Sequence, residues 1–206
     1  MSSDKGARTF VVETVSGRME LPENFDDPEV RTAYMEGQCI ALALELHKRT
    51  NYPLTAILSE PLHPEMTPTQ MASVIAYSLH HVLVRAPGGI VVDIQGPRPL
   101  RQYLQEEDPG FAPDQYHGRD TDFLTEDEFH ESDCLCLDQC YPNAHLSVAE
   151  VSAADLEYAV ALGELVKPAR RAAAHYASQL VKKFDLPRKV ALTPSSRTQR
   201  VRERAH

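Results

Sequence analysis

Three residues of this 206-residue chain have the types and the order for acyl transfer through a thiol: Cys39, His81 and Asp93. In that chemistry a thiolate attacks an acyl carbon. An imidazole keeps the thiol deprotonated and later protonates the leaving group, and a carboxylate fixes the tautomer and orientation of the imidazole. Cys39 directly follows Gly37-Gln38 and opens the apolar run Ile40-Ala41-Leu42-Ala43-Leu44-Glu45-Leu46-His47. A cysteine in the first turn of such a helix faces the positive end of the helix dipole, which favours the thiolate. The same residue is also compatible with a small core hydrophobe, since free cysteine is often buried.

The elements that must position these side chains read as follows. Thr9–Val15 reads as a strand, and Asp27-Pro28 as an N-cap and first residue of a short helix to Met35. The Cys39 helix runs to Arg49 or Thr50, where Asn51-Tyr52-Pro53 ends it. Leu54–Leu58 is a strand, and Thr67-Pro68 caps a helix to Tyr77. His81–Arg85 and Ile90–Ile94, joined by Ala86-Pro87-Gly88-Gly89, form a hairpin. That hairpin places His81 and Asp93 on neighbouring strands, within reach of one another. Gly96-Pro97-Arg98-Pro99 ends it, and Pro99 opens a short helix through Leu104. Ser152-Ala153-Ala154-Asp155 has capping-box form and starts a helix to Val166, and a second helix covers Ala169–Phe184. His80 competes with His81 as the base, because adjacent strand residues face opposite sides and only one can reach the cysteine.

Gly-Gln-Cys39 on an apolar helix, His81-Val-Leu-Val, and Gly-Gly-Ile-Val-Val-Asp93 together resemble the papain-like and transglutaminase-like cysteine enzymes. The pattern is especially similar to papain-fold glutamine deamidase-like proteins of the bacterial toxin type, in which triplets like Asp93-Ile94-Gln95 recur. The resemblance covers residues 36–96. It implies an α+β papain-like fold: a central Cys-bearing helix on a small antiparallel sheet, here with a C-terminal helix pair. It also implies a cysteine hydrolase with Cys39 as nucleophile, His81 as base and Asp93 as orienting group. Gln38 and Gln95 are then candidate oxyanion or substrate contacts, a protein or peptide amide is the substrate, and no cofactor is required. Ile40 stands where tryptophan is common in these enzymes, and residues 31–37 contain no glutamine. The competing expectation is a non-catalytic papain-like binding module with an incomplete or buried triad, whose acidic segment engages a basic protein.

The rest of the chain bounds these readings. Residues 1–186 read as one domain with an acidic insertion at about 105–145, and 187–206 as a basic, disordered tail. The net charge is −9, but the tail holds six basic residues and one acid, so it carries +5 and the remainder −14. Such a body disfavours nucleic acid, and only the tail offers a weak electrostatic contact. Three of the four cysteines, Cys134, Cys136 and Cys140, fall within seven residues, with His145 and His130 nearby. With His145 they make a candidate structural zinc set, and otherwise free thiols or a labile disulfide. No apolar run is long enough to span a membrane, and Met1–Gly6 leads into no signal-like apolar segment; the expectation is a cytoplasmic protein, with leaderless export open. No nucleotide-binding or zinc-protease motif is present.

Overall fold

A computed structural model describes residues 9–107 and 146–187. The chain opens with an antiparallel pair, β1 (Thr9–Thr14) and β2 (Gly17–Pro22). Helices α1 (Pro28–Met35) and α2 (Cys39–Thr50) follow, then β3 (Leu54–Leu58), α3 (Pro68–Ser78), β4 (Leu79–Ala86), β5 (Ile90–Asp93), β6 (Gly96–Pro99) and α4 (Leu100–Glu107). After the acidic segment come β7 (Ser147–Val151), α5 (Ala153–Ala161) and α6 (Arg170–Lys183). The fold is mixed α+β. Its main sheet has five strands in the order β6-β5-β4-β3-β7, every neighbouring pair antiparallel.

The helices start where local chemistry dictates. Asp27 caps α1 by accepting the Glu29 N–H, with Pro28 in the first turn. Thr67 with Gln70, and Ser152 with Asp155, form reciprocal capping boxes on α3 and α5. Asn51 ends α2 in the left-handed conformation and donates to the His47 carbonyl.

The sheet is covered on both faces, which is why β3 is buried along its whole length, with Thr55 the one polar residue in an otherwise apolar strand. Leu54, Ala56 and Leu58 face the larger core, which α2 fills with Ile40, Leu42 and Leu46 and α6 with Ala173, Tyr176 and Leu180. Ile57, Leu83, Val91 and Val148, one from each of four adjacent strands, face the smaller core under Leu100, Tyr103 and Leu104 of α4. Helix α2 is thus a buried central element between α6 and the sheet.

Several expectations need correction. Ser16-Gly17 reads as a turn, but Gly17 opens the strand Gly17–Pro22; Ser147–Val151 is a further strand, and Gly96–Pro99 is a sheet strand rather than the end of a hairpin. The helix expected to reach Val166 stops at Ala161, followed by Gly163 at φ +89°. Most of the acidic segment, the candidate zinc residues Cys134, Cys136, Cys140, His130 and His145, and the basic tail from Arg188 lie outside the described residues.

Candidate active site

Cys39 is the first residue of α2, and its place depends on the two residues before it. Gly37 has φ +114°, a conformation glycine adopts at low cost, and a Cβ there would lie 2.7 Å from Val166 Cγ2. Gln38 is fully buried. Its amide donates to the carbonyls of Glu13 (2.6 Å) and Lys167 (3.1 Å) and accepts from the Ala169 N–H (2.8 Å). One side chain thereby ties the start of α2 to β1 and to the segment leading into α6. Both amide hydrogens are taken, so the expected oxyanion contact from Gln38 has no donor to offer; the side chain is a structural clamp.

His81 reaches Cys39 through an irregularity in β4. Strand β3 pairs Ile57 with His81 and then Leu58 with Leu79, so His80 is an extra, bulged residue. Bulges re-aim neighbouring side chains. Here His80 points outward and is exposed, while His81 is 2% exposed, which separates the two candidate bases. The ladder between β4 and β5 covers only Val84–Ala86. Before Val84 the β5-facing edge of β4 is outside the β4–β5 ladder, and the backbone N–H groups of Val82 and Ile40 act on Cys39 to favour its thiolate.

Asp93 ends β5. Continuing the β4–β5 register by one step places Leu83 opposite Asp93, so His81 is its diagonal neighbour on the same face. His81 Nε2 lies 3.3 Å from Asp93 Oδ2. Asp93 Oδ1 accepts the backbone N–H of Gln95 (2.8 Å), which closes the two-residue turn into β6. Ile94 of this triplet is buried in the core. Gln95 is exposed, and its side-chain oxygen accepts from Arg98 Nη1. Gln95 therefore serves Asp93 by its backbone and Arg98 by its side chain.

The electrostatics favour a charged cluster. Burial pushes the Cys39 thiol up, but the His81 imidazole and the Val82 and Ile40 N–H groups outweigh it and hold the thiol below its ordinary value. Burial alone lowers His81, whereas Asp93 and Cys39 push it up to about 10. Burial raises Asp93, and His81, Arg98 and the Gln95 N–H bring it below the usual carboxylate range. These shifts run toward a thiolate, an imidazolium and a carboxylate, which with the Arg98 guanidinium balance in charge. Neither nitrogen of His81 is in line for a well-formed hydrogen bond.

Two residues of the site escaped sequence reasoning. Arg98 Nη2 donates to Asp93 Oδ2 at 2.8 Å. Tyr103 stacks on the His81 ring, centroids 5.8 Å apart, and the Arg98 guanidinium lies 4.8 Å above the Tyr103 ring. The signal for Arg98 was the tight return after Asp93. Pairing Asp93 with Gly96 puts Arg98 opposite Val91, on the Asp93 face. Cys39, His81 and Asp93 are brought together, and all three are buried, at 5, 2 and 3% exposure.

Among the described residues, no group of three or more His, Cys, Asp or Glu side chains is arranged to hold a metal ion, and no helix is long and apolar enough to cross a membrane. No protein-family model matches the chain, and neither a curated protein nor a solved structure matches it.

Proposed function

We propose that this chain is a papain-like cysteine enzyme that transfers an acyl group from a protein amide, by peptide or isopeptide hydrolysis or by glutamine deamidation. The observation that carries the reading is the convergence of Cys39, at a helix start, with His81 and Asp93 from adjacent strands. In the first half-reaction the Cys39 thiolate adds to the amide carbon. The His81 imidazolium then protonates the departing nitrogen, leaving a thioester and a free amine or ammonia. In the second, His81 takes a proton from water, the hydroxide adds to the thioester, and the carboxylic acid departs as the Cys39 thiolate reforms beside the His81 imidazolium. Asp93 holds the ring and balances its charge in both halves.

Intact-mass analysis of candidate protein substrates tests this reading. Conversion of one amide to an acid marks deamidation, new fragments mark hydrolysis, and a linked pair marks transfer to an amine. Each must vanish in Cys39→Ala. A panel of unstructured and folded proteins left unmodified by the wild type and untouched at any glutamine counts against the reading.

The burial of all three residues favours a second reading, a non-catalytic binding module of the same fold whose acidic segment engages a basic partner. A Cys39 that never alkylates in the folded protein, together with binding of a basic peptide by the Cys39→Ala variant, supports that alternative.

A further inference from the structure

We infer that Arg98 is a positioning residue of this site: from β6 it holds the Asp93 carboxylate and shares it with His81, and so sets the pH range in which the Cys39–His81 pair is charged. The inference rests on the reading of Cys39 and His81 as a nucleophile–base pair.

The geometry is a carboxylate between two cations. Asp93 sits on the middle strand of three. His81 is its diagonal neighbour on β4, and Arg98 its diagonal neighbour on β6. Both aim at the same oxygen, Oδ2, at 3.3 Å and 2.8 Å. The guanidinium contact is the shorter and the better aligned, because only it meets hydrogen-bond geometry. Arg98 is built in. Its side chain is 11% exposed, one nitrogen is fixed by Gln95, and its plane lies over Tyr103, which itself stacks on His81. A planar, permanently charged fork suits this position; a lysine ammonium is a point charge that has neither the plane nor donors held in a fixed fork.

A charge this close to a buried pair acts on its protonation. The other groups facing the cluster are few. Cys39 comes from α2, and Tyr103, Glu106 and Glu107 come from α4, while His80 is exposed on the opposite side. Glu106 lies 3.7 Å from Arg98 but is half exposed. Burial and the Glu107 charge push the Tyr103 phenol above its ordinary range, so it stays neutral. Arg98 is thus a second, largely buried cation that offsets Asp93 beside the His81 imidazolium. Without it, the carboxylate is neutralised by His81 alone, and both the thiol and the imidazolium hold their protons to higher pH.

The test is the pH dependence of iodoacetamide alkylation in the full chain, read by mass spectrometry on the peptide containing Cys39. Wild type, Arg98→Gln, Arg98→Met and Arg98→Lys are compared, with circular dichroism confirming the fold of each. Arg98→Gln keeps a hydrogen-bond donor without the charge, so it reports even if Arg98→Met does not fold. The wild-type profile is expected to show two inflections, formation of the thiolate–imidazolium pair and loss of the imidazolium proton. In the Gln and Met variants both move up by about one pH unit, and in Arg98→Lys they return toward wild type. Folded Gln and Met variants with both inflections at wild-type positions overturn the role of Arg98 and leave the nucleophile–base pair standing. A wild type with one inflection at the ordinary thiol value, unchanged by His81→Ala, overturns both.

Discussion

At the scale of single residues, His81 is the group whose ionisation has the largest consequence. Its ordinary value is 6.5, and in the fold it is pushed up to about 10 by Asp93 and Cys39 against the opposing effect of burial. A raised value means that the folded state binds the proton more tightly than the unfolded chain does. The stabilisation is therefore complete below about pH 6.5 and is lost as pH rises through about 10. The stability difference between wild type and His81→Gln, measured by urea unfolding, is expected to shrink steadily across that interval. A difference constant with pH contradicts the imidazolium assignment. The convergence of Cys39, His81 and Asp93 was legible in the sequence because the spacing put His81 and Asp93 on neighbouring strands of one hairpin. Arg98 was not legible. It belongs to a Pro-Arg-Pro strand, and prolines argue against a sheet assignment except at an edge, which is where β6 lies.

At the scale of elements, the entry to α2 decides whether the cysteine is in place. Gly37 carries a positive φ and has Val166 against it. Gly37→Ala is expected to cost about 3 kcal/mol, from a strained backbone and an overpacked contact together. Adding Val166→Ala should return only the packing part, and full recovery in the double variant contradicts the backbone argument. Gln38→Ala removes three bonds and leaves buried backbone groups unpaired, for about 3 kcal/mol. The pH inflections of Cys39 alkylation should stay at their wild-type positions in that variant, since the Gln38 amide faces β1 and the α6 approach. Unchanged stability on chemical denaturation counts against the clamp. The helices were readable from their caps, at Asp27, Thr67 and Ser152. The strands β2, β6 and β7 were harder, because each lacks a clear alternating apolar pattern. β2 buries only Leu21, β6 is half proline, and β7 follows a long acidic stretch.

At the scale of the whole molecule, the site is closed. Burial was the feature least visible in the sequence, because the cover over His81 is a tertiary contact: Tyr103, three residues into α4, reaches a ring more than twenty residues away. With Cys39 at 5% exposure, reagents should react according to their size. A bulky maleimide is expected to lag iodoacetamide far more on Cys39 than on free cysteine, and urea below the unfolding transition should narrow that gap. Equal relative rates in native buffer contradict a closed site.

The central claim is that His81 makes Cys39 a thiolate. It is tested most directly by following iodoacetamide alkylation of the Cys39 peptide against pH in wild type and His81→Ala. The expected result is a wild-type onset well below the ordinary thiol value of about 8.5, moved to or above that value in the variant, where burial acts without the imidazole. A single onset near the ordinary value in both proteins contradicts the account.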